Sequence, residues 1–226
     1  MSAPKKIRVW DLPTRLFHWL LVACVIGAFA TIKAGGLWAE YHMLFGYSVL
    51  GLILFRIVWG LVGSANARFS RFVRGPGSVL GYLRGRLPRT PGHNPLGALS
   101  VIAMILLLGY QAVTGLFAND EIFMQGPLAA LVDTRLSDQL TRLHKLDELP
   151  ILILLGLHIA AVLWYRLVKK QKLIGAMVTG NAPADEFPAD AQPIREGAGT
   201  WALALVIALI AAAVVYGIVS LRPAGF

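Results

Sequence analysis

Charge is scarce in this chain. Asp, Glu, Lys and Arg together make up 15% of its 226 residues, against about 25% in ordinary soluble domains. No acid falls in the deep part of any long apolar run, which argues against ion-coupled transport, since that chemistry keeps ionisable groups at mid-membrane. Cysteine is almost missing as well. Cys24 stands alone, so no intramolecular disulfide can form. Without a C-x-x-C-H sequence there is no covalent haem attachment, and there are too few thiols to hold an iron–sulfur cluster.

Apolar length is what the chain has in quantity. It is 57% hydrophobic, with a mean hydropathy of +0.65. Five apolar runs, at 16–33, 41–63, 96–117, 149–167 and 200–221, approach the roughly 17–25 residues that a helix needs to cross the hydrocarbon core. None has the polar face of a soluble amphipathic helix. The chain is therefore expected to be an all-α, polytopic integral membrane protein.

Basic residues set its orientation. Lys5, Lys6, Arg8 and Arg15, the arginines of the 64–95 loop, and Lys169, Lys170, Lys172 and Arg195 lie on one side, with Arg56 and Arg166 near it. In all, 16 of the 21 basic residues and 5 of the 12 acids fall there, a balance of +11 against −2 on the other side. That predicts a cytoplasmic N-terminus and, with five spans, a periplasmic C-terminus. The overall charge of +9 and pI near 10.1 then reflect topology and anionic lipid, and no nucleic-acid partner is implied. Lys5, Lys6 and Ala28-Phe29-Ala30 imitate a cleavable secretory signal. The apolar run continues past that site and carries His18, so retention of the segment is expected.

Between the runs, prolines 76, 88, 91 and 95 mark a cytoplasmic connection. Within it, Val79, Leu80, Tyr82 and Leu83 beside Arg84 and Arg86 predict a short interfacial helix. On the outer side, Ile122, Phe123, Met124, Leu128, Leu131 and Val132 are expected to lie on the membrane surface. The fourth helix should begin early, near a Ser137 N-cap, because Leu136, Leu140 and Leu143 keep helical spacing. Pro150 should then kink it. The 181–199 segment, rich in Pro, Ala and Asp, reads as a cytoplasmic linker to an additional C-terminal membrane helix in 200–226.

Four histidines lie on the spans. His144 and His158 are separated by 14 residues on the fourth. That is about 21 Å along the axis and within about 40° of one face. His18 lies near the inner end of the first run, and His42 opens the second at its outer end. Each half of the chain thus offers one imidazole at each of two matching depths. Haem iron takes one axial ligand on each face, and a bis-histidine site favours electron transfer over oxygen binding, so two stacked haems fit this pattern. Zinc or copper sites usually mix His with carboxylate or sulfur ligands, which the spans do not offer beside these histidines. Gly46, Gly51, Gly109, Gly115 and Gly156 are candidates for close approach of a flat macrocycle. Arg56 is a candidate partner for haem propionates, with snorkelling to the interface as its plainer reading. His93, in Pro91-Gly92-His93-Asn94-Pro95, reads as a turn or N-terminal cap residue. Gln111 and Thr114 are the notable polar groups of the third span.

The stretch Val9-Trp10-Asp11-Leu12-Pro13-Thr14-Arg15-Leu16-Phe17-His18-Trp19 carries a family resemblance. So do His42, Phe55-Arg56-Ile57-Val58-Trp59-Gly60, Ala67-Arg68-Phe69 and the His144/His158 spacing. Over about 7–180, the chain resembles the bacterial cytochrome b561 superfamily, in particular the b-type cytochrome subunits of nickel–iron hydrogenases and related dehydrogenases. The resemblance implies a four-helix transmembrane bundle in 1–180 that binds two haem b groups. By position, His18 and His158 would ligate the inner haem, and His42 and His144 the outer one, with the fifth helix as an appendage.

The expected function is electron transfer in the bacterial inner membrane. It would run between membrane quinone and a periplasmic partner, a c-type cytochrome or a dehydrogenase or hydrogenase subunit. A superoxide-oxidising, quinone-reducing enzyme of the same superfamily is an alternative, weakened by Asp133, Asp138, Asp147 and Glu148 around Arg135, Arg142 and Lys145. A subunit that chiefly anchors a dehydrogenase is another.

Overall fold

The computed structural model describes residues 5–87, 89–120 and 124–222. Five of its helical stretches are long and apolar enough to span a membrane, and the protein is 71% helical. These are α1 (Leu12–Ala34), α2 (Ala39–Val62), α5 (Pro95–Gly115), the pair α6 (Thr134–Leu146) and α7 (Glu148–Leu167), and α9 (Ala198–Val219). Shorter helices α3 (Phe69–Phe72), α4 (Pro76–Leu83) and α8 (Leu173–Thr179) sit in the connections. Many of the large apolar side chains stay exposed, among them Leu20, Ile26, Leu106, Leu157, Leu209 and Ile210. That inversion of the soluble pattern is what lipid-facing helices require, since lipid tails are as apolar as leucine.

Two compact units emerge. The first takes in the residues up to Phe17, Arg56–Ala103 and Leu154–Leu205; the second takes in His18–Phe55, Met104–Ile153 and the chain from Val206 onward.

In the first unit, Asp11 caps α1. It is fully buried, accepts from the Thr14 N–H at 2.6 Å and the Thr14 hydroxyl at 2.9 Å, and also accepts from the Ser64 hydroxyl. The Trp59 indole donates to the same Thr14 hydroxyl at 3.2 Å, and the Asn66 amide donates to the Val9 carbonyl at 2.9 Å. A buried carboxylate is tolerated because these three donors satisfy it. The Trp-Asp-Leu-Pro-Thr stretch is thus a structural clasp between the N-terminal segment and the C-terminal end of α2.

The 181–199 stretch is more ordered than an open linker. Strand β1 (Lys6–Arg8) pairs antiparallel with β2 (Asn181–Pro183), with Ile7 opposite Ala182. Ile7, Val9, Trp10, Ala176 and Ala182 form a small core against which Phe187 and Ala191 pack. Gly180, at φ +83°, closes α8 in the left-handed region, and an added Cβ there would stand 2.8 Å from the Trp10 carbonyl oxygen. Glu196 accepts from the Leu12 N–H at 2.8 Å and from the Trp201 indole at 2.7 Å, and it pairs with Arg8. Burial pushes its carboxyl pKa up, but these donors outweigh that and hold it below the usual carboxylate range. A short helix is present where one is expected around Val79–Leu83, as α4.

In the second unit, Leu50, Leu116 and Val215 form a core, so the end of α9 packs against α2 and α5. Three expectations change here or nearby. The N-cap of α6 is Asp133, whose carboxylate accepts from the Leu136 N–H at 2.9 Å. Ser137 lies one turn inside and donates to the Phe117 carbonyl at 2.8 Å. The outer connection does not simply lie on the surface. Gly126 donates to the Ala118 carbonyl at 2.8 Å, Leu128 donates to Leu116 at 2.9 Å, Pro127 is fully buried and Leu128 packs on the core. Leu131 alone keeps the exposure expected of such a loop; Ile122 and Phe123, like Pro88, lie outside the described residues. The third change, in the first unit, concerns His93. The α5 cap is Asn94, which accepts from the Gly97 N–H at 2.7 Å, while the His93 ring lies between Trp10 and Phe72, at centroid distances of 4.7 and 4.5 Å.

Pro150 perturbs the fourth span as expected. Lacking an N–H, it leaves the Leu146 carbonyl without its helical donor, and the helix is interrupted at Asp147. Bonds from Asp147 to Leu143 and from Ile151 to Asp147 carry the ladder across the break.

Candidate haem site

Within the second unit, His42 from the start of α2 and His144 from α6 lie side by side. Their ring centroids are 6.1 Å apart and their planes stand at 83°. Two metal–nitrogen bonds of about 2 Å, plus the half-width of each ring, put opposed axial imidazoles roughly 6 Å apart. A cavity of about 230 Å³ opens beside them, lined by Val25 and Phe29 of α1, Met43 and Gly46 of α2, Gln111 and Gly115 of α5, and both histidines.

The other nitrogen of each ring is already engaged. His42 Nδ1 lies 2.9 Å from the Ala28 carbonyl oxygen, and His144 Nδ1 lies 2.9 Å from the Gln111 carbonyl oxygen. A carbonyl can only accept, so each Nδ1 carries a proton, which in the neutral form of the ring leaves the lone pair on Nε2. That is the tautomer a metal-ligating histidine needs, held by the backbone contact that commonly accompanies it. Thr31 reinforces the first contact by donating to the Gly27 carbonyl at 2.7 Å, next to Ala28.

α5 is shaped to receive the His144 ring. An added Cβ at Gly115 would stand 3.0 Å from His144 Cε1 and 3.2 Å from Nδ1. The buried Thr114 hydroxyl lies 3.4 Å from the same Nδ1 and bonds back to the Tyr110 and Gln111 carbonyls. Sequence reading singled out Gln111, Thr114 and Gly115 as the polar groups and one of the glycines of the third span. It gave no sign that all three serve one histidine.

Among the described residues no group of three or more His, Cys, Asp or Glu could hold a bare metal ion. Two imidazoles alone would leave such an ion under-coordinated, whereas a porphyrin brings four nitrogens of its own and asks the protein for two axial ligands. The donor set therefore fits haem better than a naked cation.

The remaining candidates are distributed between the units. His18, half-buried in the second unit, meets the Trp19 ring edge-on at 4.9 Å. His158, half-buried, belongs to the first unit, on α7. Arg56 is 2% exposed, so it does not snorkel. Its guanidinium lies 4.8 Å from the Phe69 ring centroid, and neither Nη1 nor Nη2 has a hydrogen-bond partner among the described residues. The Asp11 carboxylate interacts with its charge, but the N–H donors of the fork stay unmet, and a carboxylate is the group to which a planar fork donates on two bonds. The orphaned fork fits a haem propionate.

No curated protein matches the sequence. The family model for prokaryotic cytochrome b561 matches residues 9–180, which takes in α1, α2, α5 and the α6–α7 pair with all four span histidines. The match and the imidazole pair agree: the chain belongs to the prokaryotic cytochrome b561 family, membrane b-type cytochromes of transmembrane electron transfer.

Proposed function

We propose that the chain carries electrons across the bacterial inner membrane between a periplasmic redox partner and membrane quinone, using two bis-histidine b haems. His42 and His144 hold the outer haem, His18 and His158 the inner one, and Arg56 receives a propionate. The N-terminus is cytoplasmic and the C-terminus periplasmic, as the basic loops require. The partner class is a c-type cytochrome or a dehydrogenase or hydrogenase subunit. The bound haem supplies a reversible one-electron couple.

The observation that carries the reading is the His42/His144 pair, with ring centroids 6.1 Å apart and both Nδ1 atoms tied to backbone carbonyls. The protein's part is to close both axial positions, keep both rings in one tautomer and exclude water with apolar walls. Fixed ligands change little between oxidation states, which keeps reorganisation small. The family match supports haem b and membrane electron transfer; the second haem rests on His18 and His158 at the other depth.

Haem quantitation with a redox difference spectrum on the detergent-solubilised chain tests this. Two non-covalent, low-spin b haems per chain are expected. One haem would remove the two-haem path, and none after reconstitution would overturn the reading altogether.

A further inference from the structure

The side chain of Gln111 does something that the haem reading does not require. Its amide Nε2 lies 3.3 Å from His144 Nε2, the nitrogen that an iron would take, while its backbone carbonyl accepts from His144 Nδ1. One residue therefore contacts both ring nitrogens, as acceptor on one side and donor on the other. The amide oxygen Oε1 is buried and has no hydrogen-bond partner among the described residues, so His144 is the one polar anchor the side chain has there. A glutamine on a membrane helix is costly, and packing alone would be served better by leucine.

We propose that Gln111 is a positioning residue for the outer haem: it reads both nitrogens of His144, selects the tautomer with its proton on Nδ1, and covers the Nε2 lone pair with a long, displaceable N–H contact until iron takes it. The logic is one of donor and acceptor complementarity. The carbonyl demands an N–H at Nδ1, and the amide N–H demands a bare nitrogen at Nε2. The wrong tautomer would place two acceptors face to face at Nδ1 and two N–H groups face to face at Nε2. Thr114, whose hydroxyl contacts the same ring nitrogen and the same carbonyl, keeps that carbonyl in place. The apo protein thus presents the ring already turned and already in the right protonation pattern, so haem capture needs no proton shift at this ligand.

This inference rests on the outer haem reading, and the test separates the two. The apo chain is titrated with haem as wild type, as Gln111→Glu and as Gln111→Leu, and occupancy of the outer site and the midpoint potentials are read. Gln111→Glu keeps shape and volume but turns the donor into an acceptor that asks for N–H at Nε2. It is expected to weaken haem binding at one site by about 10–100-fold, the range for loss of an outer partner of a metal ligand, and to shift one of the two potentials. Gln111→Leu removes the amide without reversing it and should cost less than about tenfold. A purely structural role predicts no effect of Gln111→Leu on haem affinity or potential, and a haem loss in Gln111→Glu that follows a lowered melting temperature of the apo chain, because a charge buried on a membrane helix is costly in itself; that pattern would overturn the proposal. Normal loading and unchanged potentials in both variants would overturn it too. If wild type binds no haem, the failure belongs to the functional reading instead.

Discussion

Replacing Gly115 by alanine gives a test in which two physical effects carry opposite signs. Gly115 ends α5, and Ala is favoured over Gly in helices by about 1 kcal/mol. On propensity alone, Gly115→Ala should leave the protein as stable or more so. The tertiary contact says otherwise. The new Cβ would stand 3.0 Å from His144 Cε1 and 3.2 Å from Nδ1, several tenths of an ångström inside ordinary contact. The ring must retreat from α5, and Nδ1 then leaves the Gln111 carbonyl, now 2.9 Å away. The same displacement shifts the ring against His42, whose centroid is 6.1 Å distant. Loss of such an outer partner typically costs 10–100-fold in affinity for the metal group, or about 1.4–2.8 kcal/mol. The assay is haem titration of the apo variant, followed by the redox difference spectrum and a thermal melt of the apo chain. The expected result is one weakened haem in a protein whose apo form melts close to wild type, because the helix gain of about 1 kcal/mol offsets the loss of one hydrogen bond of about the same size. Two haems of unchanged affinity and potential would refute the reasoning, because the ring would then have room that the structure denies it.

Other perturbations bear on the remaining parts. Arg56→Lys keeps the charge but loses the fork, and Lys cannot replace Arg at a bidentate site; haem retention during purification should fall, and unchanged retention in Arg56→Lys and Arg56→Gln alike would remove the propionate role. His158→Ala or His18→Ala should empty the inner site and leave most of the outer haem spectrum in place; retention of both haems in both variants would overturn the ligand assignment. Glu196 has its carboxyl pKa held low by Trp201, Leu12 and Arg8, so its stabilising contribution is present above the ordinary carboxylate pKa and is lost as pH falls through the lower, folded value. Protease sensitivity of the 181–199 segment should therefore rise on acidification toward that value. Glu196→Gln should show raised sensitivity already at pH 7, and a flat pH profile in wild type would contradict the assignment.

The motif residues near the N-terminus show how far sequence reaches and where it stops. Val9 to Trp19 carried the family resemblance, yet its spacing said nothing of why Asp11 is there. In the fold, Asp11 is a buried cap that gathers Thr14 and Ser64, and Thr14 in turn receives Trp59. Those partners lie up to 53 residues away, and no local periodicity encodes such a distance. His93 makes the same point: its Pro-Gly-Asn setting reads as a turn, but the ring is placed by Trp10 and Phe72. Ser137 reads as a cap in the sequence, but Asp133 offers the same chemistry one turn earlier and takes the role; only hydrogen-bond geometry separates two such neighbours.

What the sequence by itself determined is what depends on local quantities. The length and apolar character of local stretches set five helices long enough to span a membrane, and a rise of about 1.5 Å per residue sets how far apart residues on one helix lie. Tertiary structure decided what depends on contact between distant segments. Which carbonyl receives each Nδ1, which glycine leaves room for the His144 ring and which amide faces its Nε2 are settled by α1, α2, α5 and α6 meeting around one cavity. Gln111 and His144 are 33 residues apart in the chain. Hydrogen bonds have a reach of about 3 Å, so a pairing of that kind exists only once packing has brought the two helices together.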